Sequence, residues 1–429
     1  MELKLSYVNK IKRANIKLNG LTVIAGPNSS GKSTIGRTLF SVVKAIANTK
    51  NAGEEDNRRL LKKHIESFYS RLQGLNHKID YDSYGFPRFS YDFEKLFIES
   101  DDKDKFILKV KEILGRHNLV PRQRKLLEED LENIRICWDN KDNPAASLKT
   151  ELQYLIESEF MNTLCSVGHE TTSVELQSEG NPRICFEATN NQIVKVFYDE
   201  KNPFISDATY IESPLYVHLA DAIIAAKTWR ETEGRTSFAS MPIVPSHIKD
   251  MVEKVVWASQ QPDRLIHSKI NMNDITGGKM VYDTTSHQLV FKEGDNSFTT
   301  VNVASGIKSL SIVQLLENTK IIGPERLLIW DEPENHLHPE WQVSFAKKLV
   351  NLAGSGIPIL VTTHSPYFLQ AIRYYSAIEK MSKYTNFYTP EEDKNHLVTM
   401  TDVTDDLTSV FAKLAEPLNN IMDIVDYKE

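Results

Sequence analysis

No apolar run in the chain approaches the ~18 residues that a membrane-spanning helix requires. Residues 1–20 alternate apolar and charged side chains and lack the apolar centre of a secretory signal. Both absences lead to the expectation of a soluble, cytoplasmic protein with no membrane partner. Cysteine is scarce: Cys137, Cys165 and Cys185 stand apart, with no CxxC spacing. That argues against a disulfide framework or a zinc ribbon, and reduced thiols are expected. Internal repeats, low-complexity tracts and sustained heptads are missing, so no long coiled-coil arm is expected. Basic excess is missing too. The formal net charge is −7, and residues 391–429 alone hold ten acids and three bases, leaving 48 of each sign elsewhere. A neutral body carries no global signal for nucleic acid, though local basic patches can.

What is present is an ordinary globular balance, 41% hydrophobic and 25% charged over 429 residues. At ~150 residues per domain this allows about three structural units. Alternation at Leu3, Leu5 and Tyr7, then Ile16 and Leu18, reads as two strands, and 21–25 as a buried one. Residues 33–50 read as a helix with Ile35, Leu39, Val42, Val43 and Ile46 on one face. Residues 51–166 turn charged and helical. Strands are expected at 173–176, 183–187, 192–198 and 208–211, helices around 215–230 and 247–259, and a β segment at 279–292. A further helix is expected over 303–317. The apolar runs 327–330 and 357–362 flank a helical 341–352, which is a βαβ order. After His364 the pattern reads as a short β-like stretch and then an acidic tail.

Two motifs carry chemistry. Gly26-Pro-Asn28-Ser29-Ser30-Gly31-Lys32-Ser33, followed by Thr34, matches GxxxxGK[ST] in full, after a strand and before a helix. Such a loop turns backbone N–H groups towards phosphate oxygens, and the helix N-terminus adds its dipole. Lys32 is expected to reach the β- and γ-phosphates of a nucleotide, and Ser33 to bind Mg²⁺. The run 327–330 ends in Asp331-Glu332-Pro333. Asp331 is the expected second Mg²⁺ ligand, through water, and Glu332 the group that polarises the attacking water.

With 304–308 (Ala-Ser305-Gly306-Ile-Lys) and 362–365 (Thr-Thr-His364-Ser), these motifs resemble the ABC/SMC-type ATPase superfamily. The resemblance implies a sandwich in which two protomers enclose two ATPs. Ser305 and Gly306 would touch the γ-phosphate in trans, His364 would sense it, and His338 would lie at the D-loop facing the partner. The sequence departs from the pattern at Ala304, where the signature serine is usual, and shows no clear Q-loop glutamine. The stretch 210–213 (Tyr-Ile-Glu-Ser) is the candidate for that place. Within the superfamily, 304–308, 331–339 and 362–366 resemble the ATPase domains of OLD-family nucleases and stand-alone relatives in anti-phage systems such as Septu and PARIS. The resemblance covers about 1–45 and 270–375. Only 65 residues follow His364, too few for the Toprim nuclease domain of OLD proteins.

Weaker constellations are read as structural. Arg59 and His64 fit an RxxxxH spacing but are expected on a solvated helix face. Arg116, His117, Arg122, Arg124 and Lys125 form a basic cluster followed at once by Glu128, Glu129 and Asp130. His336 and His338 lack a third ligand nearby for zinc. Leu407, Val410, Phe411, Leu414, Leu418, Ile421, Met422 and Val425 recur at helical spacing, to dock on the protein's own core or on a partner.

The sequence thus leads to an α/β, ABC-type P-loop ATPase head with a mixed sheet, a helical insertion and a short C-terminal extension. The expected division is 1–50 and 270–380 for the two parts of the head, 51–166 for the insertion, 167–269 completing head and arm, and 381–429 for the extension. The expected function is an ATP-hydrolysing switch in a bacterial anti-phage complex, using ATP and Mg²⁺. Its expected partners are itself, as an ATP-dependent homodimer or higher oligomer, and a separately encoded effector, with nucleic acid as a further candidate. The chief alternative is a RecF/SMC-like DNA repair or recombination ATPase. A transporter's nucleotide-binding subunit and a self-contained nuclease fit less of the pattern.

Overall fold

The computed structural model describes residues 1–50, most of 61–72, 87, 90–116, 119–139, 144–161, 163–199, 205–220, 223, 244–261, 272–283, 288–414 and 416. These fall into two compact units. The first contains residues 1–44, 159–221 and 245–429, and the second 45–158 and 222–244.

The first unit is built on one eleven-stranded sheet. Its strands are β1 (Glu2–Val8), β2 (Ile11–Lys17), β3 (Leu21–Ala25), β4 (Thr171–Ser178), β5 (Asn181–Thr189), β6 (Gln192–Tyr198), β7 (Asp207–Ile211), β11 (Arg326–Asp331), β12 (Ile359–Thr363), β13 (Thr385–Glu392) and β14 (Val398–Asp402). The order is β6-β5-β4-β1-β2-β14-β13-β3-β12-β11-β7. From β6 to β2 the neighbours are antiparallel, and from β13 to β7 they are parallel. The parallel half explains the apolar runs: every residue of β3 and β12 is buried, as strands covered on both faces must be. A second sheet joins β8 (Lys279–Asp283), β9 (Gln288–Glu293) and β10 (Asn296–Thr299).

The described helices include α1 (Lys32–Lys50), α2 (Ser90–Glu99), α3 (Lys103–Gly115), α4 (Pro121–Asp139), α5 (Pro144–Phe160), α6 (Ser246–Ser259), α7 (Asn273–Thr276), α8 (Ser305–Asn318), α9 (Pro339–Gly354) and α10 (Pro366–Ile378). In α1, Ile35, Leu39, Val42, Val43 and Ile46 are buried. Helices α9 and α10 each begin with proline at the first turn. Their N-caps are His338, whose Nδ1 accepts from the Glu340 N–H, and Ser365, whose Oγ accepts from the Phe368 N–H. The second unit has its own core, in which Phe68, Phe93 and Phe97 pack with Leu127, Leu131 and Ile134.

Several expectations change. Helix α10 stands where only β-like sequence was expected. Residues 385–402, assigned to the C-terminal extension, supply β13 and β14 to the main sheet. Their composition is charged at the hairpin tip, but Thr385, Phe387, Tyr388 and Thr389 are buried. Of the helix expected around 215–230, Pro214–Leu219 forms a 3₁₀ turn, and 224–230 lie outside the described residues. His64 is buried, not solvated, on the same face as Leu61, Ile65 and Phe68, while Arg59 lies outside the described residues. In the basic cluster Arg116, Arg122 and Lys125 are exposed, and His117 lies outside the described residues. Leu407 and Val410 are buried in the protein's own fold, and 417–429 lie outside the described residues. All three cysteines are free, and burial pushes the Cys137 thiol up to about 12.

Candidate functional site

The parallel strands β3, β12 and β11 end at one level, because Thr363 pairs with Ala25 and Thr362 with Asp331. The loops that leave these carboxyl ends therefore meet, which is where open α/β sheets place their ligand sites. The first loop is 26–31. Its entry is pinned by the Gly26 N–H, which donates to the Thr363 carbonyl at 3.1 Å. Ser29 and Gly31 take positive φ, 59° and 81°. A Cβ at Gly31 would also lie 2.6 Å from Ile11 Cδ1, and one at Gly26 would lie 2.5 Å from Pro390 Cγ. Ser30 Oγ donates to the Pro27 carbonyl at 2.7 Å. Pro27, Asn28 and Ser29 are exposed; Ser33 and Thr34 open α1, half-buried and buried. The first-turn amides of a helix have no helical acceptor, so this end suits an anion.

Lys32 is 4% exposed, and its Nζ donates to the carbonyls of Gly26 and Pro27 at 2.9 and 2.8 Å. Glu332 Oε1 lies 3.8 Å from the same ammonium. Burial lowers the Lys32 pKa, against the charges of Glu332, Asp331 and Glu334. A phosphate would offer this buried ammonium charge-assisted acceptors in place of the two carbonyls.

At the end of β11, Asp331 is buried. One of its oxygens accepts from the Thr362 hydroxyl and the other from Tyr210 Oη at 3.1 Å. Each oxygen keeps a second lone pair. With the Ser33 hydroxyl this is a set of hard oxygen donors, the kind Mg²⁺ takes together with water and phosphate. Glu332 follows in the left-handed region, φ 48°, with its N–H donating to the Thr362 carbonyl at 3.1 Å. The carboxylate accepts from Asn335 Nδ2 at 3.0 Å and faces His364 Nδ1 at 3.3 Å.

Glu334 escaped the sequence reading, although it sits two residues past Glu332. It is almost fully buried, and its Oε1 accepts from Thr363 Oγ1 (2.5 Å) and from the N–H groups of His364 (3.0 Å) and Ser365 (3.3 Å). Burial raises its pKa, opposed by these hydrogen bonds. It ties the loop after β11 to the loop after β12 and so holds Glu332 and His364 face to face. Lys10, also not singled out, donates to the Ser29 carbonyl at 2.8 Å and pairs with Glu392 at 3.1 Å. Tyr210 and Glu212, noted only for a Q-loop, lie at the end of β7. Arg37 Nη2 donates to Glu212 Oε1 at 2.9 Å.

Lys32, Asp331, Glu332 and His364 are thus brought together. Ser305, Gly306 and His338 are placed by other contacts. Ser305 and Gly306 open α8, and a Cβ at Gly306 would lie 2.7 Å from Leu337 Cδ2 and 2.9 Å from the His336 carbonyl. His338 is exposed at the start of α9.

A phosphate-type loop, an acidic pair and a histidine at the ends of adjacent parallel strands make a P-loop ATPase site in a mixed α/β fold. The chain belongs to the AAA ATPase domain family, whose model matches residues 9–369. Solved structures similar to it include an SMC head bound to the C-terminal winged-helix domain of ScpA. That structure has 9% identity and a TM-score of 0.39, covering 96% of this chain and 98% of that one. Another is the SMC head domain from Thermotoga maritima, with 12% identity and a TM-score of 0.36, covering 94% and 98%. No curated protein matches the sequence.

Proposed function

We propose that the protein hydrolyses ATP and that the gathered residues divide the work as follows. The backbone of 26–31, with Asn28, Ser29 and Ser30, and the amides of Ser33 and Thr34 bind the phosphates. Lys32 leaves its carbonyl partners to neutralise the β- and γ-phosphates. The Ser33 hydroxyl and, through water, Asp331 hold Mg²⁺, which when bound withdraws charge from the phosphates. Glu332 orients and polarises the attacking water, and His364 reads the γ-phosphate while staying in contact with Glu332. The observation that carries this reading is the Glu332 carboxylate set between Lys32 Nζ and the His364 ring, 3.8 and 3.3 Å away.

The finer reading is a switch. Two copies close over two nucleotides, each completing the other's site with Ser305, Gly306 and His338. Support comes from Gly306 seated against the loop that follows the acids, and from His338 lying exposed. Ser305→Arg should therefore abolish an ATP-dependent dimer while leaving nucleotide binding intact, as read by sedimentation. We further read the closure as control of a separately encoded effector in an anti-phage complex, on the likeness of 304–308, 331–339 and 362–366 to such ATPases. Motion of this kind controls a partner only if the partner binds the two states differently. Purifying the native complex with and without ATP tests this. A nuclease or toxin that co-elutes in one state supports it. DNA-stimulated hydrolysis with no such protein favours the RecF/SMC-like alternative.

A further inference from the structure

One buried constellation takes no part in the chemistry above. His247, in the first turn of α6, is 1% exposed, and both of its ring nitrogens face carboxylates. Nδ1 lies 2.6 Å from Glu159 Oε2, and Nε2 lies 2.9 Å from Glu212 Oε2. A neutral imidazole has one N–H, so one lone pair would then point at a carboxylate. With both carboxylates ionised, the two contacts are satisfied together only by the imidazolium. The His247 N–H adds a third bond, to Glu159 Oε1 at 2.9 Å. Glu212 in turn accepts from Arg37 on α1 and from Tyr216 Oη at 3.3 Å. Two cations and two carboxylates thus close a balanced network, the arrangement that makes buried charge tolerable.

Tyr210 lies flat against this imidazolium, ring centroids 4.6 Å apart and planes at 27°. Phe40 packs on both rings, at 6.2 Å from His247 and 6.4 Å from Tyr210. Gly36 fits beneath the phenol, where a Cβ would lie 3.3 Å from Tyr210 Oη. Tyr210 is therefore caged, and among the described residues its hydroxyl proton has one partner, Asp331 Oδ2. The direction of that bond depends on the ring, and the ring rests on His247.

We propose that His247, clamped by Glu159 and Glu212, is a positioning residue that fixes Tyr210 and through it Asp331, and so sets the site's affinity for a divalent cation. This rests on the reading that Asp331 serves the cation. Removing a group that orients a metal ligand from behind typically lowers metal affinity about 10–100-fold.

The test uses the full chain carrying Glu332→Gln, so that bound ATP persists. Mn²⁺ replaces Mg²⁺, and its free concentration is followed by electron paramagnetic resonance, while calorimetry measures ATP binding in EDTA. Tyr210→Phe removes one oxygen and keeps the packing. His247→Gln breaks the clamp, and Glu159→Gln loosens it without removing a hydrogen-bonding group. Tyr210→Phe and His247→Gln should each raise the Mn²⁺ concentration for half-saturation about tenfold, with ATP affinity in EDTA unchanged. The double variant should be no worse than the weaker-binding single, and Glu159→Gln should shift the value in the same direction. Parent-like half-saturation in Tyr210→Phe overturns the proposal. So do additive effects in the double variant, or parent-like values in both His247→Gln and Glu159→Gln. A parent that binds neither ATP nor Mn²⁺ overturns the ATPase reading itself, and this inference with it.

Discussion

Replacing Glu334 separates the clamp from the chemistry. In Glu334→Ala the hydroxyl of Thr363 and the amides of His364 and Ser365 lose their common acceptor, and Thr363 is fully buried. A hydrogen bond to a charged group is worth ~1.5–3 kcal/mol. The Ser365 N–H keeps Thr363 Oγ1 at 3.0 Å, so two full losses stand against the relief of no longer burying a carboxylate, itself several kcal/mol. The expected net cost is about 2–4 kcal/mol. Glu334→Gln keeps an oxygen where Oε1 sits and should cost within ~1 kcal/mol. The assay is thermal unfolding of both variants beside the parent, followed by turnover at saturating ATP. Glu334→Ala should also lower kcat about tenfold or more while ATP affinity holds, because a misplaced His364 and Glu332 affect the reaction more than binding. Equal stability losses in Gln and Ala would show that the charge matters and the acceptor does not. An Ala variant with parent stability and parent kcat would refute the clamp.

Lys32→Ala removes the ammonium expected to turn to the phosphates. It should weaken ATP binding by about two orders of magnitude in calorimetry, and parent affinity would contradict that role. The His247 network also predicts a pH signature. The Glu212 carboxyl is held down to about 2 by its hydrogen bond to His247, then by the charges of His247 and Arg37, all against burial. The stability it contributes is present above its ordinary 4.5 and is lost as pH falls towards 2. The His247 pKa is raised from 6.5 by its hydrogen bonds to Glu159 and Glu212 and by their charges, against burial. Its contribution is complete below 6.5 and is lost as pH rises through the raised value. The Tm deficit of His247→Gln relative to the parent should therefore be largest between about pH 5 and 6.5 and shrink in alkali. A deficit that grows with alkali would contradict the imidazolium.

Much of the site was legible because its residues are local in sequence. Strand β3, the loop 26–31 and α1 follow without a break, and the apolar run of β11 delivers Asp331 and Glu332 directly. Periodicity is a local property, and these elements obey it. Glu334 was not legible, because an acid in a polar loop reads as solvated unless one knows that β12 brings three donors to it. His247 met Glu159, Glu212 and Tyr210 only through the fold, across 35 to 88 residues of chain. Strands β13 and β14 were hidden by the charge of their hairpin, where Glu392 and Asp393 pair with Lys10 and Lys12. Helix α10 did have a signal: Ser365 and Pro366 are a cap followed by proline at the first helical position. Ser365 is also the last residue of the switch motif 362–365.

The function proposed for this chain depends on Glu332, between Lys32 and His364, activating the water that attacks ATP. Glu332→Gln keeps the size of the side chain and a carbonyl oxygen for Asn335 but cannot take up the proton. The direct measurement is single-turnover ATP hydrolysis in Glu332→Gln and the parent, with bound nucleotide identified after rapid filtration. The variant should retain ATP, unhydrolysed, with cleavage at least about a hundredfold slower. Cleavage at the parent rate, or ADP as the retained nucleotide, would contradict it.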